Sequence, residues 1–268
     1  MSGIELEKAE FAYLLETLHA TSVVGVDDPA LFPTEKEARD GAYGAGFDRL
    51  QEHGWLKPAE QPGQLILDDL LLLMTAVVAD PAYVVFTARN SGGGNQQLLL
   101  HYLAEPEIVE LSTTPDQKYR IGLVPDRAAM LQRIQEMLGL PGRAEAPRFQ
   151  FNIEEQAFQA IQNLVGEGKR KQAAAMLREQ GVNGTKGESL LAALSATDSG
   201  GMIAVARASG GEIAAGRKVT VFRQADAVWL MQRIDATTTT LSLETVQPDT
   251  LSTVLGSYFE FLQGSGGK

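Results

Sequence analysis

The spacing of hydrophobic residues along the first 140 positions predicts amphipathic helices followed by short strands. Apolar residues recur at helical spacing over Leu6–Leu18 and again from the Thr34–Glu37 capping box to His53. A third helix is expected from an Asp68 cap to Val78, and a fourth from Pro125-Asp126 to about Gly139. Between these two helices, short apolar runs separated by turn residues predict a meander of antiparallel strands at Tyr83–Ala88, Gln97–Leu103, Ile108–Ser112 and Tyr119–Leu123.

The same order of predicted elements returns after residue 148. Helices are expected at Ile153–Val165, Gly168–Gln180 and Glu188–Ala196, strands at Met202–Ala206, Val219–Phe222, Val228–Ile234 and Thr239–Leu243, and a last helix from Pro248-Asp249 to Leu262. Two matched signals link the halves. Gly54 and Gly181 each end a second helix, and the two Pro-Asp pairs each begin a last helix.

This repetition predicts an α+β fold made of two quasi-repeated halves. Residues 1–140 form the first half and residues 149–268 the second, and the connector at 141–148 belongs to the stretch Gly139–Arg148, which contains two glycines and two prolines. Each half is expected to contain helices, an antiparallel β meander and a C-terminal helix. We expect a central antiparallel sheet and a pseudo-twofold relation, within one compact domain or two.

Composition narrows the classes of function. The 268 residues include no cysteine, which excludes disulfides, thiolate zinc sites and cysteine nucleophiles. The net charge of −11 argues against a nucleic-acid partner. The most apolar stretch, Leu65–Ala79, contains two aspartates and is too short to span a bilayer, and the first residues lack the pattern of a signal peptide. We therefore predict a cytoplasmic protein without membrane insertion.

Motifs for catalysis or cofactor binding are absent from the sequence. His19, His53 and His101 are not spaced as metal ligands. The glycine-rich stretch at 90–95 joins two predicted strands, whereas a dinucleotide loop joins a strand to a helix. The stretch Gly181–Gly187 lacks the Gly-Lys-Ser/Thr of a phosphate loop, which favours a turn or a cap. We predict no catalytic residue, no metal and no cofactor.

Adjacent carboxylates have a structural explanation as well. The pairs Asp27-Asp28, Asp68-Asp69 and Glu154-Glu155 lie in predicted loops or at helix starts, where the helix dipole favours negative charge. A general acid needs a carboxyl group in an apolar pocket, and the sequence indicates no such pocket.

Two segments are similar to motifs of a known protein family. The first, Gly46–Leu56, reads GFDRLQEHGWL and is similar to a helix ending in L-x-x-x-G-L/W-L. The second comprises Gly200–Arg207 and Val219–Leu230, which give a glycine, paired strands and an aspartate-containing turn before the last helix. Together they resemble the EspG family of type VII (ESX) secretion chaperones. The resemblance is incomplete, because Ala227-Val228-Trp229 stands where the family has a Gly-Arg-Tyr-like continuation.

The resemblance implies a fold, a function and a binding site. EspG-family proteins have a quasi-twofold mixed fold with a central antiparallel sheet, and they bind secreted helical-hairpin proteins in the cytosol and keep them soluble. A β-hairpin loop and the nearby sheet contact the substrate. By this resemblance the partner-binding residues here are those of the glycine-rich loop and its flanks: Arg89, Asn90, Ser91, Gly92, Gly93, Gly94, Asn95 and Gln96.

Three hypotheses about function stay open at the level of sequence. The first is a non-enzymatic chaperone or adaptor that binds a helical-hairpin protein. The second is an enzyme with an unrecognised carboxylate-based site, and the third is a regulatory scaffold without chaperone activity. Co-purification with a small helical partner favours the first, and a deep polar pocket with convergent carboxylates favours the second. The sequence does not indicate the oligomeric state.

Overall fold

The structure is a computed structural model that describes residues 3–61, 64–90, 96–140, 148–196, 200–224, 227–234, 237–247 and 250–264. It confirms an α+β fold, with eight helices and a large antiparallel sheet in the described residues. None of the described helices combines the length and the apolar character needed to cross a membrane.

The first part of the chain contains four helices and seven strands within the described residues. In chain order they are β1 (Ile4–Leu6), α1 (Lys8–Thr17), α2 (Lys36–Glu52), β2 (Leu56–Pro58), β3 (Leu65–Leu67), α3 (Asp69–Ala79), β4 (Tyr83–Asn90), β5 (Gln96–Ala104), β6 (Glu107–Thr113), β7 (Tyr119–Val124) and α4 (Arg127–Leu138). The predicted helices and the four-stranded meander are therefore present. The short strands β1, β2 and β3 are additional to the prediction.

The second part follows a closely similar order. Its elements are β8 (Gln150–Glu154), α5 (Glu155–Gly166), α6 (Arg170–Glu179), α7 (Gly184–Ser195), β9 (Gly200–Ser209), β10 (Glu212–Gln224), β11 (Ala227–Arg233), β12 (Thr240–Val246) and α8 (Thr250–Gly264). The Pro248-Asp249 pair lies outside the described residues. In both parts a short first strand pairs with the last strand of the meander, since β1 pairs with β7 and β8 pairs with β12.

Contacts between residues divide the chain into two compact units. The first comprises Met1–Phe86, Leu98–Met130 and Ala206–Gly216, and the second comprises Thr87–Gln97, Leu131–Val205 and Arg217–Lys268. The strands β4, β5, β9 and β10 thus contribute residues to both units. The repetition of 1–140 in 149–268 stays a prediction, which superposition of the two segments tests.

A row of apolar residues across four strands forms the inner face of the sheet in the first unit. Leu111 on β6 pairs with Leu100 on β5 and with Ile121 on β7, and Ile121 pairs in turn with Ile4 on β1. Alternation along each strand directs these side chains to one face. They belong to a core to which α1 and α3 contribute, and in which Phe11 lies 4.9 Å from the Tyr119 ring.

Trp229 on β11 lies at the centre of the core of the second unit. It is fully buried and lies 6.0 Å from the Phe149 ring in a stacked arrangement and 5.8 Å from the Phe151 ring edge-on. The helices α5, α6 and α7 contribute mainly aliphatic and phenylalanine side chains to this core: Phe158, Ile161, Ala173, Leu177, Leu190, Leu191 and Ala193.

Several predicted helix signals act as expected. Asp68 caps α3, because its Oδ1 accepts the N–H groups of Leu70 and Leu71. Asp126 likewise accepts the N–H of Ala129 at the start of α4. Gly54 and Gly181 both adopt a positive φ, of 74° and 76°, just after helix ends. A residue with a side chain rarely adopts this conformation, which explains a glycine at each helix end.

Other helix signals act differently from the prediction. The Thr34–Glu37 capping box is not formed, since α2 begins at Lys36 with Glu35 as an N-cap that makes no side-chain cap. The stretch Gly181–Gly187 is only partly a turn, because α7 begins at Gly184, four residues before the predicted start. Burial of Leu190 and Leu191 favours helix there in spite of the glycines.

Candidate protein-binding surfaces

The predicted partner-binding loop connects β4 to β5. Its central residues, 91–95, lie outside the described residues, so the structure bears only on its flanks. Asn90 is the last residue of β4 and Gln96 is the first residue of β5. The loop therefore extends directly from strand ends, and the assignment of its residues to partner binding stays a prediction.

The flanking residue Arg89 contacts the end of α4 within the second unit. Its Nη1 donates to the carbonyl oxygen of Met137 at 3.1 Å, and Nη1 of Arg223 donates to the carbonyl oxygen of Gly139. Two guanidinium groups thus bind the negative end of the α4 dipole, which is a favourable arrangement. The Nε of Arg89 is buried and has no hydrogen-bond partner among the described residues. Arg89 thus stabilises the base of the hairpin.

Gly201 explains why the base of the hairpin is closely packed. A Cβ at this position would overlap with the Leu138 side chain and would lie 2.9 Å from the carbonyl oxygen of Ala88. A larger residue would force α4 away from β4 and β9 in this unit. The glycine of the family-like segment therefore has a packing role.

A groove of about 340 Å³ lies in the first unit, at the N-terminus of α1 and beside β5 and β6. Its lining combines apolar and polar residues: Lys8, Gly25, Val26, Asp27, Asp28, Leu98, Leu100, Leu111, Ser112, Thr113, Gln117 and Tyr119. Leu100 and Leu111 are buried and are direct partners in the β5–β6 register, whereas Leu98 is 39% exposed. The groove therefore has an aliphatic floor.

Asp28 organises the polar wall of the groove. Its Oδ2 lies 2.9 Å from Nζ of Lys8 and accepts the Tyr119 hydroxyl at 2.8 Å, and its Oδ1 accepts the N–H of Ala30 at 3.0 Å. Burial by itself raises the pKa of the Asp28 carboxyl, but the hydrogen bonds from Lys8, Tyr119 and Ala30 outweigh burial and lower the pKa below its ordinary value. Burial, followed by the bond to Asp28, raises the pKa of Tyr119. Asp28 is thus ionised, and both of its carboxylate oxygens are bonded to groups of the protein itself.

Asp27 differs from its neighbour. It is exposed at the groove, and its carboxylate makes no hydrogen bond or ion pair with any described residue. The ammonium group of Lys8 is already matched by Asp28. The groove therefore presents one uncompensated negative charge above its aliphatic floor.

Exposed apolar side chains also occur on β3 and α3 of the first unit. Leu65, Ile66, Leu70 and Leu73 have exposed fractions between 37% and 55%. All four lie between residues 65 and 73, on either side of the Asp68 cap. Exposed leucine and isoleucine side chains at such density are typical of surfaces that contact other proteins.

Two of the three histidines have structural partners. Nδ1 of His53 lies 2.7 Å from Oε1 of the fully buried Glu10, and Nε2 of His101 lies 3.2 Å from Oε2 of Glu110 across the β5–β6 register. The position of His53 after α2 agrees with the prediction, and Glu10 is a further partner that the sequence does not indicate. No group of three potential metal ligands occurs among the described residues.

Sequence reasoning missed the groove and the role of Arg223. Both depend on residues distant in the chain: Asp28 and Tyr119 are 91 positions apart, and Arg223 and Gly139 are 84 apart. The Asp27-Asp28 pair was visible in the sequence, but nothing local distinguishes the aspartate that is bound internally from the one that is exposed.

Comparison with known proteins finds a likeness in structure alone. No protein-family model matches the chain, and no curated protein matches it in sequence. The fold is similar to that of the type VII secretion system chaperone EspG5 of Mycobacterium tuberculosis, whose structure was solved in complex with a PE25–PPE41 dimer. The TM-score is 0.67 at 12% identity, over 97% of this chain and 96% of EspG5. This likeness confirms the EspG-like fold.

Proposed function

We propose that this chain is a non-enzymatic cytosolic chaperone or adaptor that binds a helical-hairpin protein partner. The observation that carries the proposal is the likeness to EspG5, because it extends over nearly the whole of both chains rather than over one common motif. EspG5 is a chaperone solved with a protein dimer, and we infer the same class of partner here.

The surface chemistry supports a protein partner. Leu65, Ile66, Leu70 and Leu73 expose aliphatic surface, and burial of such surface supplies most of the affinity in protein interfaces. The described part of the chain holds no cluster of metal ligands, and the partly buried Asp28 is held in its ionised form by hydrogen bonds. An ionised, internally bonded carboxylate is a poor general acid, which argues against a carboxylate-based enzyme site there.

We also propose that the loop from Arg89 to Gln96 contacts this partner. Arg89 and Arg223 hold the base of the hairpin against α4, so the strand ends on either side of the loop have a well-packed support. Binding sites on loops that project from rigid elements are common in proteins. In this arrangement Arg89 acts on the hairpin base, and the short polar residues of the loop contact the partner.

The proposal is tested by co-expressing the chain with PE–PPE-type helical pairs encoded in its own genome. We expect one pair to co-elute with the chain in size-exclusion chromatography and to bind with a measurable Kd in calorimetry. Replacing Ser91–Gly94 by a two-residue Asn-Gly turn should weaken this binding and leave the melting temperature nearly unchanged, because the free energy of closing a loop depends only weakly on its length.

Two results contradict the proposal. One is the failure of every such pair to bind the folded chain. The other is a catalytic activity that follows the pure protein and disappears when a single carboxylate is replaced. If a pair binds but the shortened loop binds it as tightly as the parent, the chaperone assignment stands and the loop assignment is wrong.

A further inference from the structure

The groove of the first unit has the features of a site for a basic peptide segment. Its floor consists of the side chains of Leu98, Leu100 and Leu111, and Val26 adds aliphatic surface to the lining. Its volume of about 340 Å³ is at the lower end of the range typical of ligand pockets. Such a volume accommodates two or three side chains and excludes a large cofactor.

The charged side chains that line the groove determine which ligand charge it favours. Lys8 and Asp28 neutralise one another at 2.9 Å, so they leave no net charge for a ligand. Asp27 remains, exposed and without a partner among the described residues. An anionic ligand would therefore meet a repulsive carboxylate, whereas a cationic group would complete an ion pair.

The polar rim suits a polypeptide rather than a free amine. Ser112 and Thr113 follow the buried Leu111 on β6, and Gln117 lies in the turn between β6 and β7. Their hydroxyl and amide groups supply both donors and acceptors, which is the combination that peptide groups require. The turn itself is fixed, because Oγ1 of Thr114 donates to Asp116 and accepts the N–H of Lys118.

We propose that this groove binds a partner segment in which a lysine or arginine stands next to aliphatic residues. The methylene stem and the aliphatic neighbours pack on the leucine floor, and the cationic end pairs with Asp27, as long basic side chains commonly do at apolar surfaces. Only the basic end gains an ion pair, so a neutral segment of equal size binds less tightly. The inference deepens the proposed function by assigning one partner surface, but its test needs no partner protein.

The test uses two tripeptide probes and methyl NMR of the full chain. Acetyl-Leu-Lys-Leu-amide is titrated to about 10 mM beside the same peptide with norleucine in place of lysine. We expect the lysine peptide to shift the methyl signals of Leu98, Leu100 and Leu111, and to bind about two- to fivefold more tightly than the norleucine peptide, as one exposed ion pair allows. Asp27→Asn should remove this preference and leave the binding of the norleucine peptide unchanged.

The controls separate this inference from the proposed function. Asp48→Asn removes an exposed aspartate on α2 outside the groove and should preserve the preference for lysine. Leu98→Ser should weaken the binding of both peptides. The proposal is overturned if the three leucines show no shifts, if both peptides bind equally to the parent, or if Asp27→Asn and Asp48→Asn have the same effect. None of these results bears on whether a helical pair binds elsewhere on the chain.

Discussion

The helical layers of the two units are held together by different chemistry. In the first unit α1 and α2 meet through a glycine contact, an aromatic pair and polar pairs: Gly46 lies against Ala9, the Tyr13 and Phe47 rings lie 5.8 Å apart, Tyr43 donates to Glu16 at 3.1 Å, and His53 lies 2.7 Å from Glu10. In the second unit α5, α6 and α7 meet mainly through aliphatic and phenylalanine side chains, and an exposed ion pair joins Arg170 of α6 to Glu188 of α7. Two segments with a similar order of elements can therefore pack their helices through different kinds of contact.

The difference teaches which kind of substitution each layer tolerates. Apolar packing loses stability in proportion to the volume removed, because burial is non-directional. A glycine contact and a hydrogen bond to a buried carboxyl group depend instead on geometry, and they fail when an atom is added or one partner is removed. Removing side-chain volume should consequently be the costly change in the second unit, whereas adding a side chain at the glycine contact or removing a polar partner should be costly in the first.

The largest effect is expected from the apolar layer. Leu177→Ala removes a fully buried side chain of α6, whose Cδ1 is close to Gly187 of α7. The cavity should lower the free energy of unfolding by roughly 2–5 kcal/mol. Urea denaturation measures the change, and the exposed Lys171→Ala on the same helix serves as the control. A loss well under 1 kcal/mol for Leu177→Ala would show that α6 repacks freely.

A smaller loss in the free energy of unfolding is expected from a substitution at the glycine contact. In Gly46→Ala the new Cβ would overlap with the carbonyl oxygen of Ala9 and lie 2.9 Å from Cβ of Tyr13, which forces α1 and α2 apart. We expect a loss of about 1–3 kcal/mol in the free energy of unfolding.

The control for this substitution lies on the same helix. A Cβ at Gly44 meets no atom within 4 Å, so Gly44→Ala should stabilise the protein by up to about 1 kcal/mol through helix propensity. Equal changes for the two substitutions in urea denaturation would mean that α1 and α2 do not pack closely at Gly46.

These glycines also show how far the sequence determines the fold. The small residues at positions 41, 42, 44 and 45 of α2 predict the close approach of another helix there, whereas the structure places such a contact at Gly46 and none at Gly41 or Gly44. Periodicity identifies a helix and its apolar face, whereas it does not identify which residue meets the neighbouring helix. That depends on the crossing point, which is a property of two helices together.

Dependence on distant parts of the chain also explains which strands and site residues the sequence does not predict. The short strand β1 has only three residues and pairs with β7 more than a hundred positions away, so no local pattern predicts it. β10 was predicted only over Val219–Phe222, because its first half is largely exposed and contains a glycine and two basic residues. Asp28 likewise gains its bonding partners only in the folded chain, where Lys8 and Tyr119 lie next to it.

The polar pair between α1 and α2 should contribute less than the glycine contact. His53→Ala removes the side-chain partner of Oε1 of Glu10, a carboxylate that is fully buried and whose Oε2 is occupied by the N–H of Glu7. Leaving a buried acceptor without its partner should cost about 1–2 kcal/mol. His53→Gln, which can donate to the same oxygen, should recover part of the loss in urea denaturation, and the exposed His19→Ala should change little. If His53→Gln is as destabilising as His53→Ala, packing rather than the pair stabilises this contact.

The smallest effect is expected on the pH dependence of stability, through Asp28 in the first unit. Because the Asp28 pKa is lowered in the folded protein relative to the ordinary value of 3.8, its ionised form contributes stability that is complete above that value and is lost as the pH falls below it through the folded pKa. Asp28→Asn removes this contribution, so the variant should be less stable than the parent near neutral pH and should lose less stability between about pH 6 and about pH 3.

Amide hydrogen exchange at Ala30, whose N–H donates to Asp28, should report the same loss, whereas exchange at Leu177 in the apolar layer should follow only global unfolding. Asp48→Asn, at an exposed position, should leave the acid dependence of the parent unchanged. Parallel stability curves for the parent and Asp28→Asn would mean that the bonds from Lys8 and Tyr119 do not favour the ionised carboxylate.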